Sequence, residues 1–223
     1  TLQKTVLERG LHMFIEKMVL DKILEQRRSI REFDITELPE EKIEAVIEAG
    51  RLAPFAGLVQ KNTDSFRHFF VIHRDSDMAE KIKVLCEEAR RQEVVRIKNN
   101  GLADRYPEVA KIAKAMSERP ANDIFISPWL IIIAERGGLP QREETCLGYI
   151  MENMWLKATE MDLAFRVCSG ISDISNTDAL KDLLGLDMGE VYAFDACNIG
   201  YPKNPIAERR EHPKPVRSIK YFR

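Results

Sequence analysis

"RRSIREF", residues 27–33, sets Arg27, Arg28 and Arg31 around Ser29 directly after a run with helical spacing. Basic side chains often close a helix by facing its carbonyl end, and charge clusters are usually solvated faces. A third reading competes with these two. If the chain leaves the helix here and runs extended, side chains alternate, so Arg27, Ser29 and Arg31 share one face while Arg28 and Ile30 take the other. Two guanidinium forks flanking a hydroxyl make a cradle for a phosphate monoester, because arginine presents paired donors to phosphate oxygens and the hydroxyl adds a neutral one. Spacing alone leaves the helix-end and phosphate readings both open.

Composition bounds what such a cradle serves. The 223 residues, 44% of them hydrophobic, can bury a full core as one large domain or two small ones, and a net charge of −2 argues against wholesale nucleic-acid or membrane-surface binding. The tail is different: residues 203–223 hold seven Lys or Arg against Glu208 and Glu211, a net +5 that calls for an anionic neighbour or water. Cys86, Cys146, Cys168 and Cys197 form no C-x-x-C pair and read as buried thiols in a reducing, cytoplasmic setting. The histidines show no metal-ligand spacing, so no protein-built metal site is expected. No apolar run approaches the roughly 18 residues of a membrane span, and no signal-peptide pattern opens the chain. Residues 1–17, ahead of Met18, are set apart as an N-terminal leader or extension, and residues 18–223 read as a single domain.

Hydrophobic periodicity predicts helices over "MVLDKILEQ" (18–26), "LPEEKIEAVIEAGRLAP" (38–54) and the long charged run 76–100, which Gly101 can end. "FRHFFVIHR" (66–74) and the continuous, β-branched "PWLIIIAER" (128–136) read as strands, the second buried on both faces. Residues 102–123 are polar and helical in patches and read as a mobile cover. In "ETCLGYIMENMWLKATEMDLAF" the apolar residues, with Met151, Met154 and Trp155 among them, span more than half of a helix circumference, which suggests contacts with both the core and a partner subunit. "AFRVCSGI" and "VYAFDACNIGYP" read as two further strands ending in glycine turns. With no repeat and no linker, the pattern is that of one α/β domain.

The order of these features resembles the nitroreductase family of FMN-dependent oxidoreductases: "RRSIREF" after a helix, "RLAPFAGLVQ" after the next, an Asp-x-x-x-x-Pro strand ("DIFISPWLIII"), an apolar helix, an "SGI" turn, a "NIGYP" turn and a basic tail. The resemblance spans about Met18 to the C-terminus. It implies an α+β, three-layer α/β/α fold with a central, mostly antiparallel sheet flanked by helices and a domain-exchanged C-terminal tail. It further implies that Arg27, Arg28 and Ser29 hold the FMN phosphate and ribityl chain, and that Arg31 reaches the pyrimidine end of the ring, where a cation would stabilise the reduced, anionic flavin. The family's "APSxxNxQPW" loop, supplied by the partner chain, corresponds to residues 53–60, so Pro54, Phe55, Ala56 and Gln60 become cofactor contacts. Ser169, Gly170 and Ile171 fall where the family sets backbone amides against flavin N5, and Arg209 or Arg210 where it adds a phosphate-binding cation. The loop departs from the family pattern: its serine is Phe55, its asparagine is Leu58, and its Pro-Trp is replaced by "KNTDSF".

The activity so implied is that of a homodimeric, cytoplasmic enzyme that takes a hydride from NAD(P)H and passes electrons to an electron-poor acceptor, such as a nitroaromatic or quinone, by ping-pong turnover. No side chain need act as nucleophile, because the chemistry lies on the flavin. The absence of G-x-G-x-x-G suits donor and acceptor taking turns over one flavin face. Two other readings stay open: a flavin-binding or sensing module with little turnover, motivated by the altered loop, and a flavin-free α/β scaffold with a basic interaction tail.

Overall fold

The computed structural model describes residues 19–55, 66–118, 121–174, 176–206 and 220–222. Its contacts divide the chain into two units, residues 27–204 and the terminal segments 1–26 and 205–223. Of the terminal unit, residues 19–26 are helical (α1), with Val19, Leu20 and Leu24 exposed.

The larger unit is built on four antiparallel strands in the order β1-β2-β4-β3: β1 Arg67–His73, β2 Trp129–Arg136, β3 Ala164–Val167 and β4 Tyr192–Gly200. Helices α2 (Glu40–Arg51), α3 (Asp77–Asn99), α4 (Leu102–Arg105), α5 (Pro107–Glu118), α6 (Glu143–Glu160) and α7 (Thr177–Leu184) surround it. β2 shows why its sequence is continuously apolar. Leu130, Ile132 and Ala134 enter a core with α3 and α7 on one face, and Ile131 and Ile133 enter a core with α2 and α6 on the other. All five are fully buried, as a strand covered on both sides requires. The fold is the three-layer α+β arrangement with an antiparallel sheet.

Local chemistry sets the helix ends. The Ser76 hydroxyl accepts from the Ala79 amide at 3.2 Å and caps α3. Gly101, at φ 61°, takes the left-handed turn after it. Beyond that turn α4 and α5 are helical on either side of Tyr106, which is extended, and a 3-10 turn over Ala121–Ile124 leads into β2. The apolar face of α6 corrects one expectation. Met151 and Met154 are buried within their own chain, Met154 so tightly against α2 that a Cβ on Gly50 would lie 2.8 Å from its Cγ. The breadth of that face is used up by the sheet and α2, so Met154 is not available to a partner subunit.

Candidate functional site

The exposed side of β3 positions the arginine segment. As the edge of the sheet, β3 offers unpaired backbone groups on its outer side, and the Ile30 amide donates to the Phe165 carbonyl at 3.0 Å. Farther along, the Asp34 amide donates to Tyr201 O (2.9 Å), the Lys203 amide to Glu32 O (3.1 Å), and Phe33 bridges Pro202. The stretch over residues 27–32 carries no helix, as the extended reading requires.

Trp155 of α6 anchors the start of this segment. Its ring stacks on Phe165 (centroids 5.4 Å apart, planes 24°), and its Nε1–H donates to the Arg28 carbonyl at 3.1 Å. The Arg27 guanidinium lies 4.3 Å over the same ring, with its Nε 3.2 Å from Glu152 Oε1. Those two side chains remain 29% and 46% exposed, so the ion pair is weak enough to yield to a stronger anion. Arg28 and Ser29 are half-buried and Arg31 is exposed.

β3 carries the chain from this segment to the glycine turn. Past Val167 the Cys168 amide still donates to Ala196 O (2.7 Å), and the backbone then turns through Ser169, Gly170 and Ile171, with Ile171 buried. Ser169 and Gly170 border a cavity of about 350 Å³ between α3 and α5, lined also by Ile112, Ala115 and Met116 of α5 and by Arg90, Asp123 and Arg166. Arg90 Nη2 pairs with Asp123 Oδ1 at 2.8 Å, and Arg166 Nη1 donates to the Asp123 carbonyl at 3.0 Å. The neighbouring Ile124 carbonyl accepts from the fully buried Asn198 amide group at 2.7 Å. Burial, reinforced by the Glu93 charge, raises the Asp173 carboxyl at the cavity wall above its ordinary value.

Two cysteines line the same cavity, and all four are buried thiols outside any disulfide. Burial pushes Cys86 up to about 12 and Cys168 up to about 11. Folded values above the unfolded value of about 8.5 favour the native state fully below that pH, and this contribution is lost as pH rises toward the folded values. The expected result is negligible labelling of the native protein by a thiol-disulfide reagent at pH 8, and labelling of four cysteines only after unfolding. Rapid native labelling would contradict the burial.

The segment Arg27, Arg28, Ser29, Arg31 and the turn Ser169–Ile171 are thus joined along one strand, with Ile30 paired to Phe165 four residues before Ser169. Pro54 and Phe55 sit at the end of α2, where Arg67 donates to the Ala53 carbonyl at 2.9 Å and to the Pro54 carbonyl at 3.3 Å; Phe55 packs edge-on against Phe66. Ala56, Leu58, Gln60, Arg209 and Arg210 lie outside the described residues. Sequence reading missed Trp155 as an anchor, having taken it for part of an interface, and missed the Arg90, Asp123 and Arg166 cluster altogether. A signal for Arg166 existed: it is the one charged residue in the otherwise apolar strand "AFRV".

A model of the Nitroreductase family matches residues 24–201. No curated protein matches the chain by sequence. Among solved structures it is similar to an FMN-bound nitroreductase of Bacteroides fragilis (18% identity over 92% of this chain and 98% of that one, TM-score 0.63). A BluB-like flavoprotein of Clostridium difficile is similar at 18% identity over 90% and 99% (TM-score 0.65). An FMN-bound nitroreductase of Desulfitobacterium hafniense is similar at 14% identity over 92% and 98% (TM-score 0.58). Among the described residues, no helix is long and apolar enough to cross a membrane.

Proposed function

Since the chain belongs to the nitroreductase family, we propose that it is an FMN-dependent oxidoreductase that draws electrons from NAD(P)H and delivers them to an electron-poor acceptor such as a nitroaromatic or a quinone. The observation that carries this reading is the continuity of two sites along β3. A run of three arginines and a serine is docked on the strand's outer edge, and the strand leads directly into a turn that borders a cavity. The donor set fits the cofactor: guanidinium forks suit a phosphate monoester, and the apolar side chains of Ile112, Ala115, Met116 and Ile124 in the cavity wall suit a flat ring.

When bound, FMN supplies hydride acceptance and electron transfer to the acceptor. The chain's own residues bind and orient. Arg27, Arg28 and Ser29 hold the phosphate-bearing chain, with Arg27 kept in place by Trp155, and Arg31 reaches the pyrimidine end of the ring. Ser169 and Gly170 border the cavity, the turn continuing into the buried Ile171, and Ile112, Ala115 and Met116 of α5 line its far side. Arg209 or Arg210 adds a cation at the phosphate, and residues 53–60 serve the site of the partner in a cytoplasmic homodimer. Similarity to FMN-bound nitroreductases supports the cofactor assignment.

The absorbance spectrum of the purified protein, before and after addition of FMN, tests the reading, followed by NAD(P)H oxidation with a quinone acceptor. Flavin absorbance in the near-ultraviolet and blue together with acceptor-dependent oxidation is expected. Flavin uptake without oxidation would replace the enzyme by a binding or sensing module, and failure to take up FMN would remove the cofactor itself.

A further inference from the structure

We propose that Asp173 selects the acceptor: the cavity bordered by Ser169 and Gly170 takes a flat, electron-poor aromatic whose substituent is cationic, with that cation set against the Asp173 carboxylate; this rests on the oxidoreductase reading above. Size and wall chemistry set the ring. At about 350 Å³ the cavity lies at the small end of ligand pockets, which suits one substituted ring. Ile112, Ala115, Met116 and Ile124 give it apolar sides.

Charge sets the substituent. Five charged side chains line the cavity, Glu93, Asp123 and Asp173 against Arg90 and Arg166, and four of them are already engaged. Arg90 Nη2 pairs with Asp123 Oδ1 at 2.8 Å, and Arg166 Nη1 donates to the Asp123 carbonyl at 3.0 Å. Both oxygens of Glu93 are taken by Arg96, Oε2 by Nε at 2.6 Å and Oε1 by Nη2 at 2.7 Å. Among the described residues, Asp173 alone of the five has no side-chain hydrogen bond or ion pair. The turn fixes its place: the Asp173 amide donates to the Ser169 carbonyl at 3.0 Å, and the Ile174 amide to the Ile171 carbonyl at 3.2 Å. Asp173 is exposed and so stands at the solvent mouth, whereas Arg166 is half-buried. Partial burial and the Glu93 charge both oppose the ionised form of Asp173, so a cation placed there relieves two unfavourable effects. An anionic substituent would meet Asp173 and Glu93 instead, a like-charge encounter that selects against it.

Binding is read without turnover, by calorimetric titration of FMN-loaded protein with no reductant present. Two probes of similar shape and opposite charge are compared, para-nitrobenzylammonium and para-nitrobenzoate. The wild type is expected to bind the ammonium probe about fivefold more tightly, as a partly exposed ion pair allows. Asp173→Asn keeps the shape and removes the charge, and is expected to abolish most of that preference by weakening the cation. Asp173→Glu keeps the charge and should keep the preference, and added salt should narrow it. A wild type that prefers the benzoate or binds neither probe, or an Asn variant with the wild-type ratio, overturns the assignment. Protein that takes up no FMN overturns the cofactor reading instead, and the same titrations on that FMN-free protein still read the charge at the mouth, so the two failures are distinct.

Discussion

Arg67→Ala is expected to destabilise the chain by about 3–5 kcal/mol, the cost of removing one partner from a buried ion pair. Arg67 and Glu135 stand opposite each other on β1 and β2, with side chains only 6% and 2% exposed. Both oxygens of Glu135 are taken, Oε2 by Arg67 Nε at 2.7 Å and Oε1 by Nη2 at 2.9 Å. The same guanidinium closes α2, donating to the carbonyls of Ala53 (2.9 Å), Pro54 (3.3 Å), Gly50 and Arg51 (both 3.4 Å). Alanine leaves a carboxylate buried without its counter-ion and the last carbonyls of α2 without their donor. A double variant separates the two effects. Arg67→Met with Glu135→Leu removes the stranded charge and should recover much of the loss, but not the part due to the carbonyls. Urea unfolding with an unchanged m-value gives both numbers. A single-variant loss below about 1 kcal/mol would place this pair with weak surface ion pairs.

The Arg67–Glu135 pair also marks the limit of what sequence patterning can show. Two residues 68 positions apart meet only because β1 and β2 pair in this register, and no local periodicity encodes a register. β2 was legible because a strand buried on both faces must be apolar throughout, and its length excluded a helix. The extended run of Arg27–Phe33 was legible only through the order of the features that follow it, because its spacing alone suits a helix end and a phosphate cradle alike. What docks that run was not legible. Trp155 reads as one more apolar residue on a wide helical face, and its Nε1 partner, the Arg28 carbonyl, belongs to a segment 127 residues away. α7 shows the opposite failure. Asn176 accepts from the Ala179 amide and Gly185 turns left-handed at φ 68°, so the two cap signals in "NTDALKDLLG" announce a helix too short for a long apolar periodicity to show it.

Arg27→Ala is expected to weaken FMN binding about tenfold to hundredfold, equivalent to losing a charge-assisted phosphate contact of roughly 1.5–3 kcal/mol. The fold should lose far less. In the protein itself Arg27 contributes a guanidinium over Trp155 and a partly exposed pair with Glu152, each worth about 1 kcal/mol or less. Affinity and stability therefore separate in this variant, as they would not for a residue that merely supports the core. Arg27→Lys keeps the charge but not the planar fork, and should fall between alanine and wild type. Glu152→Gln moves the other way: with the competing carboxylate removed, the guanidinium is released toward the phosphate and a like charge disappears from its surroundings, so FMN should bind more tightly. Titration of FMN, followed by its fluorescence at fixed ionic strength, measures all three. Opposite signs for Arg27→Ala and Glu152→Gln are the signature of a phosphate site held in check by its own counter-ion, and equal affinity in the alanine variant and wild type would remove Arg27 from the site.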